Sequence, residues 1–389
     1  MHRRVVVSLA RLFRDEVPGA LPRGRLNDGL PRLKTIRAHM HKDRPQTSGL
    51  PDVGRVLEAA GWLRSQAQVL VVAGQPGALL AARVWVDALA PGALVRFVGA
   101  PDADLLEGGS GVALLALLGP EWVDDAVEAA VAAGRAVLVA GPPPEDLEEG
   151  EVIEPPPGGH WLDDPYAGDG RFGALGASSM VIAAFAGVDV AGVVEGAAEM
   201  QSACARPALT ENPAYSYALA CVYAERDLGL RGAAHVTSSA KLETFVGWAA
   251  RTWASTMTGA TAVGTLRSRA GAAPLFGLIG DEELTEMLFE GPREFLVTTW
   301  EPNASAHDAA LLSLTRDRPS IRVHLHDVDA RSLGAAAALV CRAAVIGALF
   351  TDRNPRTLAS LSAWREATSI AVDVADRAGA AVDAGGAVE

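Results

Sequence analysis

Unbroken apolar runs alternating with amphipathic segments are the feature that most constrains this chain. From Ala67 it reads AQVLVVAG, turns through Gln75-Pro76-Gly77, and continues as ALLAARVWVDAL, with Leu79, Leu80, Val84 and Leu89 at helical spacing. An apolar run bounded by turn residues is a strand buried on both faces, and the spacing after it is a helix packed against that strand. The unit recurs. LVRFVGA (94–100), VALLALLGP (112–120) and RAVLVAGPPP (135–144) read as strands, and WVDDAVEAAVAAG (122–134) as a helix closed by Gly134. Such strands alternating with helices predict a mostly parallel sheet covered on both faces, a three-layer α/β/α arrangement.

The Pro- and acid-rich stretch 142–161 breaks the pattern, because proline cannot donate to a ladder. Helical patterns resume at Leu175–Phe185, Tyr215–Arg226, Lys241–Met257 and Asp281–Glu290. They alternate with HVTSS (235–239), REFLVTTW (293–300) and IRVHLHD (321–327), and the last helix spans Ser332–Phe350. The chain therefore divides into a basic arm with helices (1–60), a first α/β lobe (61–150), a linker (151–168), a second lobe with C-terminal helices (169–370) and a tail (371–389).

With 34 Lys+Arg against 47 Asp+Glu the net charge is −13, which repels phosphodiester backbones and excludes nucleic acid as the expected partner. Residues 1–44 run against this trend, with eleven basic side chains and four acids. The arm either meets an acidic neighbour or folds along its own acidic body. Three dispersed cysteines, Cys204, Cys221 and Cys341, write neither a disulfide framework nor a zinc site. The start lacks the uninterrupted apolar core of a signal peptide, and Arg342 interrupts the longest apolar stretch, so a cytoplasmic protein without membrane insertion is expected. His324 and His326 share one side of a strand and, with Asp327 or His307, offer a metal reading. The alternative, polar residues facing outward from a half-exposed strand, is the expected one, and no metal or other cofactor is anticipated. Gly74-x-x-Gly77 lacks the third glycine and acid of a dinucleotide fingerprint.

One segment is more specific. Asp169-Gly170-Arg171-Phe172-Gly173, followed after a helix by Ala186-Gly187-Val188-Asp189, resembles the signature region of the glucose-6-phosphate isomerase family. Weaker matches follow in the same order: Glu211-Asn212-Pro213-Ala214, Phe245-x-x-Trp248, Glu290-Gly291-Pro292, Leu333-Gly334 and Phe350-x-Asp352-x-x-Pro355. The resemblance spans roughly residues 60–365. It implies two sugar-isomerase lobes, a homodimer, and a sugar or sugar phosphate held in the cleft between the lobes.

The resemblance also assigns residues. Arg171 stands where the family keeps the arginine that steadies the enediolate; the alternative is that it simply pairs with Asp169 or with an acid of the linker. Ser255 falls at the position of the proton-shuttling glutamate and Glu282 at that of the essential histidine, although Glu282, with Glu283 beside it on the polar face of a helix, reads more readily as an ordinary solvated acid. Gly74, Gln75, Gly119, Gly170 and Arg353 are expected against the substrate. Serine is no general base near neutral pH without help. No lysine follows Lys241, Pro76 removes a backbone donor from the phosphate loop, and Glu121 adds a negative charge beside it. The expectation is an isomerase-like protein with weak or absent turnover. The alternatives are a non-catalytic metabolite- or partner-binding protein, or an enzyme with rebuilt chemistry using Glu282 or Glu121.

Overall fold

A strand, β1 (Val5–Ser8), opens the part of the chain that the structure, a computed structural model, describes: residues 4–42, 49–100, 111–119, 121–142, 159–230, 232–237, 239–257, 275–278, 295–302 and 318–355. Two helices follow, α1 (Leu30–Lys42) and α2 (Val53–Gln66), the second capped by Asp52, whose carboxylate accepts from the Gly54 amide at 2.8 Å. The first sheet comprises β2 (Val69–Ala73), β3 (Val95–Val98), β4 (Val112–Leu117), β5 (Val137–Gly141) and β6 (Gly159–Asp163). Its order is β3-β2-β4-β5-β6, parallel throughout. Helix α3 (Pro76–Leu89) follows β2 and α4 (Glu121–Ala132) follows β4.

The continuous apolar runs mark a sheet covered on both sides, and alternate residues show it. Leu70, Val72, Leu115 and Leu138 join the large core, while Val71, Leu114, Ala116 and Val139 form a smaller core with Val123 and Ala126 of α4. Every residue of β4 is buried.

Helices α5 (Ala177–Phe185), α6 (Val190–Cys204) and α7 (Pro213–Leu228) lead to the second sheet. It contains β7 (Gly232–Thr237), β8 (Leu275–Leu278), β9 (Phe295–Pro302) and β10 (Ser320–Leu325), with α8 (Glu243–Met257) after β7 and α9 (Ala330–Phe350) after β10. The order is β8-β7-β9-β10-β1, parallel except for β1. Helix α9 has the length and apolarity of a membrane span, yet it is buried in the core along nearly its whole length. It crosses α6 at backbone contact. A Cβ on Gly196 would lie 1.9 Å from the Arg331 carbonyl oxygen, and one on Gly334 2.0 Å from that of Val193.

Two boundaries differ from expectation. Residues 159–163 fall within the expected linker but form the edge strand of the first sheet, in register with 137–141. Their own pattern, Gly-His-Trp-Leu-Asp, is too short to announce a strand after a proline-rich stretch. The arm is likewise part of the second sheet, since Val5 pairs with Leu325 and Ser8 with Arg322. Its cations lie along the protein's own acids: Arg4 on Asp329 at 3.5 Å, Arg25 on Asp28 at 2.7 Å and on Asp227, and Arg32 on Asp352. The expected helix 281–290 and the tail 371–389 lie outside the described residues.

Candidate functional site

In an open parallel sheet a crevice forms where neighbouring strands send their connections to opposite sides, at the carboxyl ends of those strands. In the first sheet that place lies between β2 and β4. Gly74 and Gln75 follow β2, and Leu118 and Gly119 follow β4. The two loops meet, because a Cβ on Gly119 would lie 2.9 Å from the Gln75 amide nitrogen. Pro76 occupies the first position of α3, where a helix has no use for the missing N–H. The amides of Gly77 and Ala78, next in that turn, lack partners within their own helix.

The segment from Asp164 to Gly176 packs across these loops. Asp164 is fully buried and anchors it, its carboxylate accepting from the Tyr166 amide at 2.9 Å and from the amide and hydroxyl of Ser178 at the start of α5. Gly168 then passes the Leu118 carbonyl, and Gly170 rests directly on the backbone of Gly77. Helix α8 pins the far side. The Trp248 indole donates to the Gly170 carbonyl and the Thr252 hydroxyl to the Arg171 carbonyl, both at 3.1 Å. Gly74, Gln75, Gly119 and Gly170 thus lie on neighbouring loops.

Arg171 is beside them but turned inward. It is 3 % exposed. Its Nε donates to Asp169 Oδ1 at 3.1 Å, one terminal nitrogen to Oδ2 at 3.0 Å, and the other to the Pro355 carbonyl at 2.9 Å. Arg171 is thus paired with Asp169. A planar fork on a carboxylate is a strong, oriented contact, and it ties the loop to the chain leaving α9. It leaves the expected enediolate cation already engaged.

Ser255 lies near the C-terminal end of α8. Its hydroxyl donates to the Arg251 carbonyl at 2.8 Å, one turn back in the same helix, so it is committed to its own backbone. Glu282 lies outside the described residues. Arg353 follows α9, where it faces Glu225 of α7; burial raises the Glu225 carboxyl pKa and Arg353 partly offsets that rise. Among the described residues no group of three or more His, Cys, Asp or Glu is placed to hold a metal. Burial pushes the Cys204 and Cys341 thiols up to about 12, so neither is a reactive thiolate.

Among the described residues, Arg251, which the sequence reading did not single out, lies beside these loops. Its guanidinium lies against Gly77: a Cβ there would be 2.9 Å from a terminal nitrogen and 3.2 Å from Cζ. The residue keeps access to solvent, yet the protein around the guanidinium pulls its pKa below the ordinary value, with desolvation as the cause. The signal was available. Residues four apart share a helix face, so placing Ser255 at the site also places Arg251 there.

Two mostly parallel sheets flanked by helices, with glycine loops converging at the switch point of the first, define a two-lobed α/β fold. The comparisons agree. A glucose-6-phosphate isomerase from Chlamydia trachomatis superposes with a TM-score of 0.73 at 13 % identity, covering 97 % of this chain and 90 % of that one. A hypothetical protein from Thermus thermophilus gives 0.71 at 14 %, covering 95 % and 99 %. In sequence, a probable glucose-6-phosphate isomerase of Halobacterium salinarum is 33 % identical over 202 residues, 44 % of this chain and 45 % of that protein. One of Natronomonas pharaonis is 30 % identical over 168 residues, 43 % of this chain and 34 % of that protein. The chain thus matches less than half the length of these curated relatives. No family model matches it. The chain is similar in sequence to probable glucose-6-phosphate isomerases over less than half its length, and it shares the fold of a glucose-6-phosphate isomerase over nearly all of it.

Proposed function

We propose that this protein binds a sugar phosphate, or a closely similar anionic sugar, in the crevice between Gly74-Gln75, Gly119, Gly168–Gly170 and α8, and that it isomerises the sugar weakly or not at all. The observation that carries this reading is the convergence of those loops at the switch point, where open α/β sheets bind ligands. Weak turnover follows from the engagement of the two described residues expected to do chemistry. Arg171 is held by Asp169 and Pro355, and the Ser255 hydroxyl is bonded to its own helix. General acid–base groups and charge stabilisation each contribute factors of about 10² to 10⁴, so their loss leaves little acceleration. A homodimer in the cytoplasm belongs to the same proposal and rests on the family resemblance.

The test is a coupled assay on fructose 6-phosphate with purified protein, alongside a thermal-shift panel of sugar phosphates and neutral sugars. Stabilisation by a phosphorylated sugar with turnover well below about 1 per second is the expected pair of results. Turnover in the ordinary enzyme range of roughly 1 to 10³ per second would overturn the inactive part. No response to any sugar phosphate would overturn the binding part and favour a partner-binding role.

A further inference from the structure

We propose that the N-terminal arm is a latch on the loop Asp164–Gly176: Arg32 of α1 fixes the turn that ends α9, and this turn presents the Pro355 carbonyl to which Arg171 is tied. The order of the loop then depends on one ion pair at the surface, Arg32 with Asp352. The end of α9 carries the first observation. It closes as a Schellman turn, in which the Arg353 amide donates to the Ala348 carbonyl at 2.8 Å and the Asp352 amide to that of Leu349 at 3.3 Å. Such a turn puts one residue in the left-handed region, where glycine meets no penalty. α7 uses Gly229 there at φ 65°, and Gly134 follows α4 at the same φ. α9 uses Asp352 at φ 58°, the one non-glycine residue with positive φ among the described residues.

A carboxylate where glycine would be easier needs a reason, and Arg32 supplies it. Its guanidinium pairs with Asp352, donates to the Leu349 carbonyl at 3.4 Å, and lies 5.3 Å from the centroid of the Phe350 ring. One side chain thus grips three residues at the end of α9, and its charge suits the negative end of a helix. The arm that delivers Arg32 is itself seated. Gly29 lies against α7, where a Cβ would be 2.9 Å from the Leu219 side chain, and Arg25 pairs with Asp227 and covers the Tyr223 ring at 4.5 Å. Tyr223 in turn meets Phe350 edge to face, with centroids 6.0 Å apart. Three residues beyond Asp352 the chain reaches Pro355, which is buried and accepts from Arg171 at 2.9 Å. Arg171 is the single cation of the loop and holds Asp169, with Gly170 between them on the backbone of Gly77. Contacts therefore run without a break from the arm to the first lobe.

The test is hydrogen exchange of the full chain read by mass spectrometry, comparing the peptide over 166–176 with one over β4. Asp352→Gly is the informative variant, because glycine suits the left-handed turn and only the carboxylate is lost. Arg32→Gln removes the other partner. Both should speed exchange at 166–176 by about two- to fivefold, the range set by an exposed ion pair, and leave β4 unchanged. Raising salt from about 50 to 500 mM should speed the same peptide in the wild type and not in Arg32→Gln, since a surface pair is screened. Unchanged exchange at 166–176 in both variants would overturn the proposal. Equal acceleration in β4, or the same salt response in the wild type and Arg32→Gln, would overturn it too.

Discussion

Gly170 packs on Gly77 with their backbones in contact: a Cβ on Gly170 would lie 2.4 Å from both the carbonyl carbon and oxygen of Gly77. The two residues come from different elements, and neither backbone can yield without moving α3 or the loop held by Trp248. Gly170→Ala should therefore cost about 1–3 kcal/mol in urea unfolding and weaken stabilisation by a sugar phosphate in a thermal-shift assay. Wild-type stability and binding in this variant would show that the loop does not pack on Gly77 as described.

The α6–α9 crossing makes a sharper contrast possible. Gly196→Ala and Gly334→Ala each drive a methyl into a carbonyl on the opposing helix, so each should lower stability by several kcal/mol or block folding. Gly61, in the middle of α2, has nothing within 4 Å of its would-be Cβ. Gly61→Ala should raise stability by about 0.5–1 kcal/mol through helix propensity and the unfolded chain. Equal effects at the three sites in chemical denaturation would refute the packing argument.

Breaking the buried pair should harm the fold more than the chemistry. The Arg171 side chain is 4 % exposed and that of Asp169 18 %, so Asp169→Asn leaves a largely desolvated cation with one partner fewer. A loss of about 3 kcal/mol is expected. Arg171→Lys should also destabilise, because an ammonium cannot reproduce the fork onto both oxygens. An Asp169→Asn protein as stable as the wild type would return Arg171 to the list of free cations.

Much of this architecture is readable in the residues, and the failures have physical causes. β2, β4 and β5 announce themselves because strands buried on both faces must be apolar throughout, as Leu114 and Leu115 illustrate by entering opposite cores. β1 and β6 are edge strands, stabilised by a partner on one side only. Val5–Ser8 finds its register with residues more than three hundred positions away, which no local pattern encodes. At the site, family position led to Ser255 and Arg171, but a position does not say where a side chain points. The Arg251 carbonyl four residues back captures the Ser255 hydroxyl, and a carboxylate two residues back captures Arg171. The glycines were better guides, since a missing side chain has no orientation to misjudge.

His235 supplies a test of the second lobe through pH. It is 1 % exposed on β7, stacked on Trp300 at 6.2 Å, and its Nδ1 accepts from the Trp300 indole at 3.2 Å. That bond puts the ring proton on Nε2, which is buried without a partner. Burial lowers the imidazole pKa from 6.5 to about 4, so the folded protein resists a proton that the unfolded chain takes up readily. Stability from this residue is complete above pH 6.5 and is lost as the pH falls from there towards 4, because the unfolded state binds more protons across that window. Between pH 7.5 and 5 the loss should be about 2 kcal/mol. His235→Asn keeps an acceptor for Trp300 and removes the titration. Urea unfolding at the two pH values should show a smaller drop in the variant than in the wild type, and the difference cancels the carboxylates common to both. Identical drops would mean that His235 is protonated within the core or exchanges with solvent there, and the packing around Trp300 would need revision.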